Sequence, residues 1–163
     1  MEATDTIQDK NYLRTISDLF LIIVVSGVLL CTMMMLLPFQ SQFEANNFKI
    51  ILNMLQSQHW LLPDVSTNNI SATPPLYYWI ALGVSKIFGN GYLVFRGISV
   101  VCALMNLCLL YLTLQRIFTR SIAVIGCVIL SSSLLFFGSA VFVGAAQFTF
   151  LLFSAVIYSI LFL

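Results

Sequence analysis

Two uncharged apolar runs dominate the chain. The first, Leu19 to Leu37, reads LFLIIVVSGVLLCTMMMLL and is followed by Pro38. The second runs from Ser121 to Leu163, 43 residues without a charge. Roughly 20 apolar residues span a bilayer as one helix. The first run therefore predicts one transmembrane helix over 19–38, and the second two further helices, broken between Phe137 and Gln147 where Gly138, Gly144 and Gln147 gather. Tyr92 to Leu114 predicts another span with Arg96 near its start, and a short turn over 115–120 carries Arg116 and Arg120. Before the first span, residues 1–18 mix acids, bases and small polar residues and read as a short soluble tail. A cleaved signal peptide is disfavoured, because the tail is acidic as well as basic, the apolar core is too long and no small-x-small site follows.

Between the first two spans the pattern changes. In 39–56, Phe48, Ile51, Leu52 and Leu55 recur at helical spacing, with Asn46, Asn47, Lys49, Asn53 and Gln56 on the other side. This predicts an amphipathic helix, lying on the membrane surface or packed on the protein's own core. Ser57 to Trp79 then holds three prolines, Asp64, His59 and a polar run, closing in Tyr77-Tyr78-Trp79. Irregular backbone cannot be satisfied in lipid, so this loop belongs in water, among headgroups or against protein. Leu76 to Phe88 is apolar but too short to span, and reads as interfacial or re-entrant before Gly89-Asn90-Gly91.

Composition agrees. Hydrophobic residues make up 60% and charged residues 8%, with a mean hydropathy of +1.01, whereas soluble domains are about a quarter charged. The fold class is all-α integral membrane, with about four transmembrane helices and an extracytoplasmic amphipathic helix and loop between the first and second. A net charge of +1 lacks the basic footprint nucleic acid needs, and the evident partner is the lipid bilayer. Lys10, Arg14, Arg116 and Arg120 place their side in the cytoplasm and 39–91 outside. Cys31, Cys102, Cys108 and Cys127 lie in apolar runs without metal-ligand spacing and read as packing residues. His59, alone, reads as a loop residue, and Asn69-Ile70-Ser71 as an accidental glycosylation pattern.

Over residues 42–100, Phe43-Glu44-Ala45, the turn Ser57 to Pro63 with Trp60, Thr73-Pro74-Pro75-Leu76-Tyr77-Tyr78-Trp79 and Phe95-Arg96-Gly97 follow one another at informative distances. In order and spacing they resemble the start of the GT-C membrane glycosyltransferases. The similarity is to the bacterial group of protein O-mannosyltransferases and the lipid A aminoarabinose transferase. That resemblance implies sugar transfer from a polyprenyl-phosphate donor to an extracytoplasmic acceptor at the cell inner membrane. It implies Glu44 as the catalytic carboxylate and Tyr77, Tyr78, Lys86 and Arg96 as substrate-binding residues. It assigns no metal ligand and no definite cofactor, while leaving room for a divalent metal.

The departures from the family pattern are specific. Phe43 stands where the family has its first acid, and Thr73 where a lysine meets the carrier phosphate. Val143-Gly144-Ala145-Ala146-Gln147 stands where an Arg-Pro-Asp-like element is usual. Family members are also several times longer. The expectation is a degenerate or truncated relative, inactive alone and completed by a further membrane chain. The alternative is a non-catalytic membrane scaffold or assembly factor. On either view Glu44 could instead simply favour a helix N-terminus and Arg96 snorkel to headgroups. An unrelated transporter or channel fits poorly with 43 closing residues that carry no charge.

Overall fold

A computed structural model describes residues 2–37, 42–57 and 75–162. The proposed roles or readings of Trp60, His59, Asp64, Asn69 and Thr73 lie outside these residues. Among the described residues the chain forms seven helices and no strand: α1 Glu2–Leu36, α2 Gln42–Ser57, α3 Pro75–Phe88, α4 Tyr92–Ile117, α5 Arg120–Ser132, α6 Leu134–Val141 and α7 Ala146–Phe162.

Helix α1 begins well before the apolar run, and its apolar part, Arg14–Leu36, is long enough to cross a membrane. The helix continues through the residues expected as a tail, and Thr15 and Asp18 hydrogen-bond to Gln115 and Tyr111 at the far end of α4. Tyr92–Ile117 is the second candidate span. Half of its most apolar window is buried, against 17% for α1, so α4 is the central helix. A helix apolar all round is one surrounded by neighbours. One core joins α4 to α2, α3 and the start of α7, and a second joins it to α1, α5 and α6.

The uncharged 121–163 run breaks at 142–145, inside the expected 137–147 window, and also bends at Ser133, which was not expected. Ser133 ends α5, and its hydroxyl accepts a bond from the Phe136 amide at 3.3 Å to open α6, bending the chain by 64°. Residues 142–145 then leave helix geometry before α7. The bent α5–α6 pair counts as a third candidate span only if taken as one unit. Helix α7, an apolar helix of 17 residues, falls just short of the usual ~20.

Local chemistry sets the other ends. Gly89 adopts φ +88° and its amide bonds the Ser85 carbonyl at 2.9 Å, the left-handed stop after α3 that glycine takes without steric cost. On α5, a Cβ at Gly126 would fall 2.5 Å from Leu114 Cδ1; the missing side chain lets α5 lie close against α4.

Helices α1 and α4 run antiparallel, with polar contacts at both ends. At one end the Tyr111 hydroxyl donates to Asp18 at 3.0 Å, Arg120 Nη2 donates to the same carboxylate at 2.6 Å, and Gln115 donates to Thr15 at 2.7 Å. At the other, Arg96 meets the last carbonyls of α1. Fifteen residues of α4 separate Arg96 from Tyr111, roughly 22 Å at 1.5 Å per residue, which is within the ~30 Å hydrocarbon thickness.

Candidate functional site

The Arg96 end holds a fully buried ion pair. Glu44, in the first turn of α2, and Arg96, in the second turn of α4, are both 0% exposed. Arg96 Nε donates to Glu44 Oε1 at 2.6 Å and Nη2 donates to Oε2 at 2.9 Å, the two-point fit of a planar guanidinium on a carboxylate. Arg96 Nη1 donates to the Met34 and Leu37 carbonyls at 3.0 and 2.8 Å. These lie at the C-terminal end of α1, where helix carbonyls lack intrahelical partners. Tyr92 stacks beneath the guanidinium, 5.3 Å from its ring centre. The expectation that Arg96 reaches to headgroups is corrected: it points inward, because the carboxylate and the α1 carbonyls satisfy it there. Glu44 likewise does more than favour a helix N-terminus.

Glu44 Oε1 also accepts the Val143 amide at 3.2 Å. The neighbouring Val143 carbonyl accepts from Asn47 Nδ2 at 3.2 Å, and Asn47 Oδ1 accepts from the Tyr78 hydroxyl at 3.1 Å. The Ser99 hydroxyl reaches the Gly144 carbonyl at 3.4 Å. Within the break, the Val143 N–H and C=O and the Gly144 C=O are thus answered by side chains from α2 and α4, as irregular backbone away from water requires. Five separate pieces of chain, the end of α1, the start of α2, the start of α3, the start of α4 and the break, meet on this cluster.

Tyr77 and Tyr78, both 0% exposed, lie edge-to-face with ring centres 5.7 Å apart. The Tyr77 hydroxyl is the buried side-chain polar atom without a hydrogen-bond partner among the described residues, though the Ser99 hydroxyl and Gly144 carbonyl are its polar neighbours. Burial pushes its ionisation well above the ordinary value of 10.0. The structure thus brings Glu44, Arg96, Tyr77 and Tyr78 into one buried cluster, while Lys86 stands exposed in the last turn of α3. An apolar groove of about 550 Å³ opens between α3, α4 and α7, lined by Ile80, Val84, Gly97, Ile98, Cys102 and Phe148.

Asn47 was assigned by the amphipathic pattern to the outward face, and the structure corrects this: it is 3% exposed. Among the α2 residues whose burial is described, Glu44, Asn47, Ile51 and Met54 are the buried ones, and their spacing of three, seven and ten residues is a helical face that could have been read from the sequence. Missed altogether was a polar seam deeper along α4. Asn106 donates to the Gln147 side chain and backbone carbonyl, both at 3.1 Å, and accepts from Ser154 at 3.1 Å, while Gln147 donates to Ser139 at 2.8 Å. Isolated amides in apolar runs are the only signal of it. Among the described residues no three His, Cys, Asp or Glu side chains come together as a metal site needs.

No curated protein and no solved structure matches the chain. Residues 72–163, more than half of it, match the dolichyl-phosphate-mannose-protein mannosyltransferase family. That segment holds Tyr77, Tyr78, Lys86 and Arg96, and Glu44 is tied to it by two hydrogen bonds to Arg96 and one to Val143. The chain belongs to this GT-C type family of membrane glycosyltransferases.

Proposed function

We propose that the chain acts in sugar transfer from a polyprenyl-phosphate donor to an acceptor hydroxyl at the outer face of the membrane. The acceptor oxygen bonds to the anomeric carbon, the bond from that carbon to the phosphate oxygen breaks, and polyprenyl phosphate departs with the electron pair. The acceptor proton goes to a carboxylate, and a cation steadies the phosphate. Glu44 is assigned the first task and Arg96, with Lys86, the second. Tyr77 and Tyr78 are assigned to the wall that holds the donor; both are 0% exposed, so the donor must open the cluster to reach them, as it must to reach Arg96, and the groove between α3, α4 and α7 suits the isoprenoid tail. The single observation that carries the reading is the family match over 72–163.

The geometry adds a condition. Glu44 accepts three hydrogen bonds, two of them from Arg96, so both oxygens are occupied and one must be vacated before it can take a proton from an acceptor hydroxyl. In the proposed cycle the donor phosphate takes over Arg96 and releases the carboxylate. A further membrane chain completes the cavity around the donor.

Purified protein should transfer sugar from a polyprenyl-phosphate donor, and Glu44→Gln should reduce transfer by roughly 10²–10⁴-fold, the usual contribution of a general base. Absence of transfer by the wild type, alone and with membrane extract, would sink the enzyme reading. The second reading, a non-catalytic scaffold derived from the family, is favoured by the saturation of Glu44 and by the neutral Gln147, fully engaged in amide and hydroxyl bonds. It requires that the protein accumulate folded in membranes while transferring nothing.

A further inference from the structure

We infer that Asn47 is a positioning residue, locking Tyr78 of the donor wall to the backbone break at 142–145; the inference rests on the transferase reading for its catalytic consequence. Asn47 is 3% exposed, in a helix whose other asparagines, Asn46 and Asn53, face outward. Its side chain makes two bonds of opposite sense, donating to the Val143 carbonyl at 3.2 Å and accepting from Tyr78 at 3.1 Å. Asparagine carries both a donor and an acceptor on one short planar amide. An aspartate would lose the donor and an alanine both.

Glu44 and Asn47, one turn apart on α2, take the N–H and the C=O of the same residue, Val143. The break is thereby gripped from both sides by one helix, and only the Asn47 side of the grip continues to α3. A shift of the break is transmitted through Asn47 to the Tyr78 ring, and from there to Tyr77, 5.7 Å away. Asn47 touches no proposed reacting group, so its effect runs through Tyr78.

The test combines hydrogen exchange and kinetics on the full chain in detergent, with Asn47→Ala and Tyr78→Phe. One neutral hydrogen bond is worth about 1 kcal/mol, so exchange in peptides covering 141–148 should rise roughly fivefold in Asn47→Ala, and less in Tyr78→Phe. Peptides from α1 and the middle of α4 should be unchanged. Unaltered exchange over 141–148 in both variants overturns the inference, as does an increase spread over the whole chain in both. If Asn47→Ala alone loosens the whole chain, Tyr78→Phe decides: a local rise supports the link and no rise overturns it. In transfer assays with a mannosyl polyprenyl phosphate, Asn47→Ala should raise KM roughly fivefold with kcat nearly unchanged. A fall in kcat at constant KM contradicts action through the donor wall. A wild type that transfers nothing removes the transferase reading, while the exchange result still decides what Asn47 holds.

Discussion

Glu44 and Arg96 stand 52 residues apart in the chain and meet with both side chains fully buried. A buried pair is costly to assemble, because both ions leave water, but removing one partner leaves an uncompensated charge, which costs about 3–5 kcal/mol. Arg96→Gln and Glu44→Gln should each lower the melting temperature of the solubilised protein markedly, and the double substitution should cost less than their sum. Additive losses would mean that the two side chains do not share one interaction. Tyr77 gives a prediction of opposite sign. Its buried hydroxyl lacks a partner among the described residues, so Tyr77→Phe should be neutral or stabilising by about 1–2 kcal/mol. Burial raises the phenol's ionisation above 10.0. An acid whose folded-state pKa is raised contributes stability below its unfolded pKa that is lost as pH rises. Alkaline destabilisation of the wild type should therefore be blunted in Tyr77→Phe, as followed by melting at rising pH. At this scale the chemistry-bearing residues Glu44, Arg96, Tyr77 and Tyr78 could be singled out from motif and spacing. Their pairing could not, because it joins side chains 52 residues apart on different helices. Asn47 was misplaced because side-chain polarity stood proxy for exposure.

Among the elements, α4 organises the rest. It packs on α1, α3, α5, α6 and α7, and one close approach is testable. Because a Cβ at Gly126 would fall 2.5 Å from Leu114 Cδ1, Gly126→Val should destabilise by about 1–3 kcal/mol through overpacking. Leu114→Ala in the same chain should recover part of that loss, and no recovery would place the crowding elsewhere. Apolar length was enough to locate helices over 19–37 and 92–114. It was not enough for 121–163, since hydropathy cannot see a hydroxyl: Ser133 caps α6 and turns the chain by 64°. Gly144 and Gln147 lie at or beside the second interruption, where the break is held by Glu44, Asn47 and Ser99 rather than by its own sequence.

For the whole molecule, the described residues are all helical or short turns between helices, the chain is a membrane protein of the GT-C type family, and sidedness is a proposal. Lys10, Arg14, Arg116 and Arg120 are assigned to the cytoplasm and residues 39–91 to the outside. Reporter fusions at Asp64 and at Arg116 should then report opposite faces, and the same face for both would break that topology. The antiparallel α1 and α4 fit it, since Asp18 and Arg120 meet at one end and Glu44 and Arg96 at the other. The deciding measurement is transfer of labelled mannose by membranes containing the full chain, offered either as mannosyl polyprenyl phosphate or as a nucleotide sugar. If the chain is a lipid-donor transferase, label should move to acceptor from the lipid-linked donor only, and Arg96→Gln should abolish that transfer. Transfer no greater than in membranes lacking the chain, or transfer unaffected by Arg96→Gln, would contradict that reading.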